Sequence, residues 1–245
     1  MKRAFVRARR PEHKQQRREE ILAAARDLAI ASGVRNVSLG AVAEAVGLAK
    51  SNIMRYFGTR EEIYLILAAD EWHQWAAAVT TRLEAVSGGV APDEVVSGRV
   101  APDGVASGRA TSGGVASGGV AAVLAETLAD RPLLCDLLSQ TATTLEHNVS
   151  VEAARTFKRA IHAVIADLGE QVARVTGLTA DEGVELVAAA TALAGILYPI
   201  ANPSPTLAEL YAQDPDIAAT CPDFIPTLTR ALKALLAGLP TLRED

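Results

Sequence analysis

Residues 38–62 read SLGAVAEAVGLAKSNIMRYFGTREE, and the local pattern in this stretch decides the fold. Ser38 is an N-cap residue, and Leu39, Val42, Ala43 and Val46 follow at helical spacing. Gly47 supplies the positive φ that stops a helix and turns the chain sharply. Leu48 fills the corner, and a second short helix is predicted over about Ala49–Phe57. At 100° per residue, Ile53 and Phe57 point one way and Ser51, Asn52, Met54 and Arg55 the other, with Lys50 on the flank. A short helix carrying cations and hydrogen-bonding groups, set at an angle by a tight turn, is what the major groove of DNA admits.

Outward from this unit the chain reads as all-α. It has 245 residues, 49% of them apolar but only 4% aromatic, so its core is built mainly from Ala, Leu, Val and Ile. Upstream, residues 1–13 read as a disordered basic arm, and a helix is predicted over about Lys14–Ser32, ending at Gly33. Downstream, Thr59-Arg60-Glu61-Glu62 reads as a capping box for a fourth helix over 60–83. That helix is too long for the 14–60 unit alone and links two domains. Residues 87–119 repeat Ser-Gly every ten residues and read as a low-complexity insertion forming a loop. Helical patterning resumes over 120–240. There Thr179–Glu182 and Thr206–Glu209 read as further capping boxes, and the Pro-rich stretch 199–205 as a helix break.

The net charge of −5 hides an asymmetry. Residues 1–60 hold 13 Lys/Arg against 5 Asp/Glu, whereas the remainder is strongly acidic. A basic end on an acidic body marks a polyanion-binding module whose body stays off the polyanion. Cys135 and Cys221 lie far apart without CxxC spacing and read as reduced packing residues. The first 18 residues carry eight Lys/Arg and no apolar run, so no signal peptide is expected, and Leu186–Ala201 is short for a membrane span. Together these readings place the chain in the cytoplasm, off the membrane.

The run Gly47–Phe57, followed by Thr59-Arg60-Glu61-Glu62-Ile63, resembles the TetR family of transcriptional regulators over about residues 15–80. Two positions depart from that family's common pattern. Ala49 stands where Ser or Thr is frequent, and Met54 where Tyr is frequent; Met54 has no hydrogen to donate. The resemblance implies an N-terminal three-helix helix-turn-helix DNA-binding domain and a larger C-terminal helical domain for ligand binding and dimerisation. It implies a homodimeric repressor released from a palindromic operator by a small-molecule effector, with the fourth helix as lever.

Candidate contacts to double-stranded DNA are Ser38, Lys50, Ser51, Asn52, Met54, Arg55, Tyr56 and Arg60, with the basic arm in an adjacent minor groove. Candidate effector-pocket residues are Trp72, Trp75, His147, Phe157, His162 and Tyr198. The dimer surface is expected on the C-terminal helices Glu182–Tyr198 and Phe224–Leu236, with Ala188, Ala189, Ala192 and Gly195 allowing close approach.

An enzyme is the first competing reading. The sequence contains no GxGxxG, Walker loop, GxSxG or HExxH, and its four histidines do not cluster with carboxylates. No cofactor, metal or catalytic residue is expected. A constitutive DNA-binding or architectural protein, or an activator, shares every N-terminal feature; only a ligand-dependent change in DNA binding separates a released repressor from the constitutive binder.

Overall fold

The computed structural model describes residues 3–88 and 112–243. Most of the ten-residue repeat expected to form a loop, residues 89–111, lies outside them. Among the described residues all regular structure is helical. The order is α1 (Arg3–Ser32), α2 (Leu39–Ala45), α3 (Lys50–Ile53), α4 (Arg60–Gly88), α5 (Ser112–Ala129), α6 (Pro132–Gln140), α7 (Val151–Thr176), α8 (Ala180–Ala201), α9 (Pro205–Gln213), α10 (Pro215–Ala218) and α11 (Phe224–Gly238). A one-turn 3-10 segment, Val34–Asn36, joins α1 to α2, and a wider π turn, Thr141–Leu145, extends α6.

Several boundaries differ from the sequence reading, among them the end of α4, which runs to Gly88 rather than 83. The first helix begins at Arg3 rather than at Lys14, because the stretch read as an arm is rich in Ala and Arg, both strong helix formers. The repeat's last residues, Ser112–Gly119, form the start of α5.

One continuous apolar core runs from Ile21 to Leu236. α4 belongs to both halves of it. Ile63, Tyr64 and Leu67 pack in the N-terminal unit, while Trp72, Trp75, Val79 and Leu83 are buried in the C-terminal body. Trp75 donates its indole N–H to Thr127 Oγ1 at 3.0 Å, and its ring meets Trp72 edge-on with centroids 5.5 Å apart.

The body is tightened where α7 crosses α8. A Cβ built on Gly183 would lie 2.1 Å from the Gly169 carbonyl oxygen, and one on Gly169 would lie 2.7 Å from the Val184 backbone nitrogen. Only hydrogen fits between the two backbones. Gly195, expected at a dimer surface, instead faces α6: its Cβ would meet the Leu138 carbonyl carbon at 3.1 Å. Its small size serves packing within the chain.

Of the three capping boxes, the one at Thr179–Glu182 forms completely. Its Glu182 carboxylate also receives Arg243 in a two-pronged pair, Nε at 2.7 Å and Nη2 at 2.6 Å. These bonds from Arg243, then the Thr179 amide, hold the Glu182 pKa down to about 2 from an ordinary 4.5. A carboxyl depressed in the folded state contributes stability above its unfolded pKa, and that contribution is lost as pH falls from about 4.5 toward 2. Arg243→Gln is therefore expected to return the Glu182 titration toward 4.5, read from its carboxyl carbon by NMR. The box at Thr206–Glu209 does not form, because Pro205 takes the first helical position and moves the cap back to Ser204. Nor does Pro199 break α8, which runs on to Ala201 with Asn202 N donating to Tyr198 O at 2.9 Å.

Candidate nucleic-acid interface

The turn between α2 and α3 is built from local bonds. Ser38 Oγ accepts from Ala41 N at 3.1 Å and caps α2. At the other end Leu48 N reaches back to Ala43 O at 2.8 Å and Gly47 N to Glu44 O at 3.0 Å, the pair of bonds that closes a helix on a left-handed residue. Gly47 has φ of +64° and nothing within 4 Å of where a Cβ would stand. The requirement for glycine there is conformational, not spatial.

α3 has Ala49 as N-cap with no side-chain bond, and after Ile53 a tight turn carries it to Phe57. Ile53 and Phe57 are buried, as their helical phase demands. Ala49, Lys50, Ser51, Asn52, Met54 and Arg55 are exposed. Among the described residues neither Lys50 nor Arg55 has an acidic partner. The outward face of α3 is therefore cationic and hydrogen-bonding, with one apolar side chain, Met54, 54% exposed.

Three candidates have roles that the sequence did not separate. Tyr56 is half-buried against the core, and its carbonyl accepts from Arg18 Nη1 at 3.0 Å. Ser38 remains exposed, but its hydroxyl oxygen is engaged as the α2 cap. Arg60 is turned inward. Its Nε donates to Val37 O at 2.5 Å, a second nitrogen donates to Val34 O, and the guanidinium lies 4.7 Å from the Tyr64 ring centroid. It ties the loop before α2 to the start of α4. As placed, it presents little to a phosphate, since its side chain is only 16% exposed.

Two basic residues of α1 were missed. Lys14 shares a groove with Asn52, Arg55 and Tyr56 beside the outward face of α3. Arg18, one turn further on, lies 4.3 Å from the Phe57 ring centroid and holds the turn that follows α3. Their i, i+4 spacing was the available signal.

The description "Bacterial regulatory proteins, tetR family" matches residues 21–67, which hold the whole turn unit. The description "Tetracyclin repressor-like, C-terminal domain" matches residues 69–243. The chain belongs to the TetR family. It is thus a DNA-binding transcriptional regulator.

A search of curated proteins finds no match. Two solved structures resemble this TetR-family chain at low identity. One is the Thermus thermophilus FadR, a TetR-family transcriptional repressor in complex with lauroyl-CoA, at 14% identity and a TM-score of 0.52, covering 93% of this chain and 97% of that one. The other is the fatty acid degradation regulator FadR from Bacillus halodurans, at 13% identity and a TM-score of 0.48, with the same coverages. At such identity the first speaks for the fold only.

The TetR-family body is tied to its DNA-binding unit at two places. At the rear, Asp136 of α6 accepts from Val34 N at 2.7 Å, and buried Glu71 of α4 pairs with Arg26 of α1 and, at 3.3 Å, with Arg131. At the front, Glu62 receives Gly58 N at 2.9 Å and Ser150 N at 3.0 Å, while Glu61 receives the Asn148 side chain at 3.2 Å. Thr59 caps Glu62 as expected, but the returning carboxylate bond goes to Gly58 and across to the start of α7 rather than to Thr59. Burial raises the Glu62 pKa, and the Ser150 and Gly58 bonds with the Arg18 charge outweigh it, leaving the pKa below the ordinary value.

Behind the front tie is a cavity of about 400 Å³. Arg18 and Phe57 wall it from the DNA-binding unit, Leu65 and Ala69 from α4, and Ala153 and Phe157 from α7. The six residues proposed from sequence for an effector do not converge. Phe157 lines this cavity, and Tyr198 lines a separate cleft near Glu71 and Asp136. Trp72 and Trp75 are sealed in the core, and His147 and His162 are exposed. The two Trp rings serve packing.

Proposed function

We propose that this regulator is a homodimeric repressor that leaves a palindromic operator when a small molecule occupies the cavity between α1, α4 and α7. The observation that carries this reading is the ownership of the cavity walls. Phe57 ends the recognition segment and Phe157 sits in the effector-side body, so an occupant that spreads these walls moves α3 relative to the body. Release then requires that the compound bind this spread form better than the DNA-bound form.

The rim acids are each countered: Glu62 by Arg18, Asp70 by Arg26 at 3.7 Å, and Glu152 by Arg155 at 2.6 Å. With little net charge and mostly apolar walls, the site suits an uncharged apolar molecule or group.

Dimerisation is supported by exposed apolar surface. Among the described residues α8 is long and apolar enough to cross a membrane by composition, yet only 33% of its most apolar window is buried in the chain. Ala192, Ile196 and Ile200 form an outward stripe on it, and Ile225 of α11 is also exposed. A second copy laid on α8 and α11 would bury that stripe and present two recognition helices to one face of DNA. Such a protein works where the operator is, in the cytoplasm, and performs no catalysis.

The test is a mobility-shift assay against a compound panel, lauroyl-CoA included, on wild type and Ala153→Phe. A compound is expected to release wild type, while the cavity-filled variant keeps operator affinity and resists release about tenfold or more. Wild type unmoved by every compound would favour a constitutive regulator. Equal release of both proteins would place the effector elsewhere.

A further inference from the structure

We infer that Met54 is a sequence-reading residue: its thioether side chain packs on the C5-methyl of a thymine in the major groove of each half-site. The inference rests on the DNA-binding reading and adds a base identity to it. Isolated apolar side chains on a surface ordinarily need no explanation. Met54 differs because of where it stands. It lies one turn after Lys50 and Ser51 and next to Arg55, on the exposed face of α3, with Asn52 also exposed. Ile53 and Phe57, on the opposite side, are in the core, so Met54 cannot turn inward to join them without displacing packed side chains.

A duplex bound to this face covers Met54. A methionine has no donor, and its sulfur is a weak acceptor, so it cannot satisfy the hydrogen-bonding edges of guanine, adenine or cytosine. Buried against one of those edges, it leaves a polar group without water. The thymine methyl is the one apolar feature in the major groove, and apolar contact with it identifies the base. A long, unbranched, polarizable side chain also adapts to the small offsets of a methyl group.

The chain makes the test clean, because Met54 and Met1 are its only methionines. Protein labelled at the methionine methyl should give two methyl signals. Operator selected from random duplexes by wild type should contain a thymine that Met54→Ala no longer prefers. In the complex the Met54 methyl should show a nuclear Overhauser effect to that thymine's methyl. Replacing the thymine by deoxyuridine, which removes only the methyl, should weaken wild type about three- to tenfold per half-site and leave Met54→Ala unchanged. Selection of an operator whose affinity is indifferent to deoxyuridine at every thymine overturns the Met54 assignment alone. The same methyl discrimination in Met54→Ala also overturns it. Failure of wild type to select any duplex overturns the DNA reading, and this inference with it.

Discussion

Reversing both free cations of the recognition surface, in Lys50→Glu with Arg55→Glu, should lower operator affinity by at least about 10³-fold near 0.1 M salt. Each side chain is exposed and lacks an acidic partner among the described residues, so each is available to a phosphate or base edge. A dimer carries the change twice and sets four carboxylates against the DNA. The salt dependence of whatever binding remains should flatten, because fewer counterions are released. Thermal stability should stay within about 0.5 kcal/mol of wild type, as expected for exposed positions without structural bonds. Arg159→Glu with Arg174→Glu, both on the exposed side of α7, makes the same change of net charge on the acidic body and is the matched control. It should change operator affinity little. Equal losses in the two proteins would mean that net charge, not the α3 face, controls binding.

Gly183→Ala should cost about 2–4 kcal/mol of stability, measured by chemical denaturation. The added methyl meets the Gly169 carbonyl oxygen, which is backbone and cannot swing aside as a side-chain tip can. Relief requires α7 and α8 to separate, and the buried Leu168, Val172, Leu186 and Val187 lie on those helices. Gly238→Ala is the contrast. That glycine has ordinary helical backbone angles, φ −84° and ψ −41°, and nothing within 4 Å of the added carbon. It should be neutral or slightly stabilising. Two glycine-to-alanine changes in one domain then differ in sign for a reason visible in the packing alone.

What could be read from sequence was what is decided locally. The Ser38 cap, the Gly47 stop and the inward phase of Ile53 and Phe57 depend on neighbours within five residues, and each is found as expected. The Thr179–Glu182 box is another such case. Arg60 shows where local reading ends. Its charge at the start of α4 made it a candidate DNA contact, but its partners are the carbonyls of Val34 and Val37 and the Glu61 carboxylate, set by how α4 docks under the loop. The cavity was hidden for the same reason. Its walls come from α1, the end of the recognition segment, α4 and α7, and no window of sequence holds them together. Glycines illustrate both limits: Gly47 announces itself by punctuating a helix, whereas Gly183 matters only because Gly169 faces it.

In the proposed release, the interdomain ties are the route from body to DNA. Glu62 holds the turn before α4 and the start of α7 in one carboxylate, and the cavity lies directly behind it. Under that proposal, an occupant that moves α7 strains this bridge.

The exposed face from Lys50 to Arg55 is proposed to read duplex DNA. Selection of bound duplexes from a random pool tests it most directly. Enrichment of a two-fold repeat with half-sites about one helical turn or more apart is expected, with all enrichment lost in the Lys50→Glu, Arg55→Glu protein. An unenriched pool with wild type, or the same sequences recovered by both proteins, would contradict it.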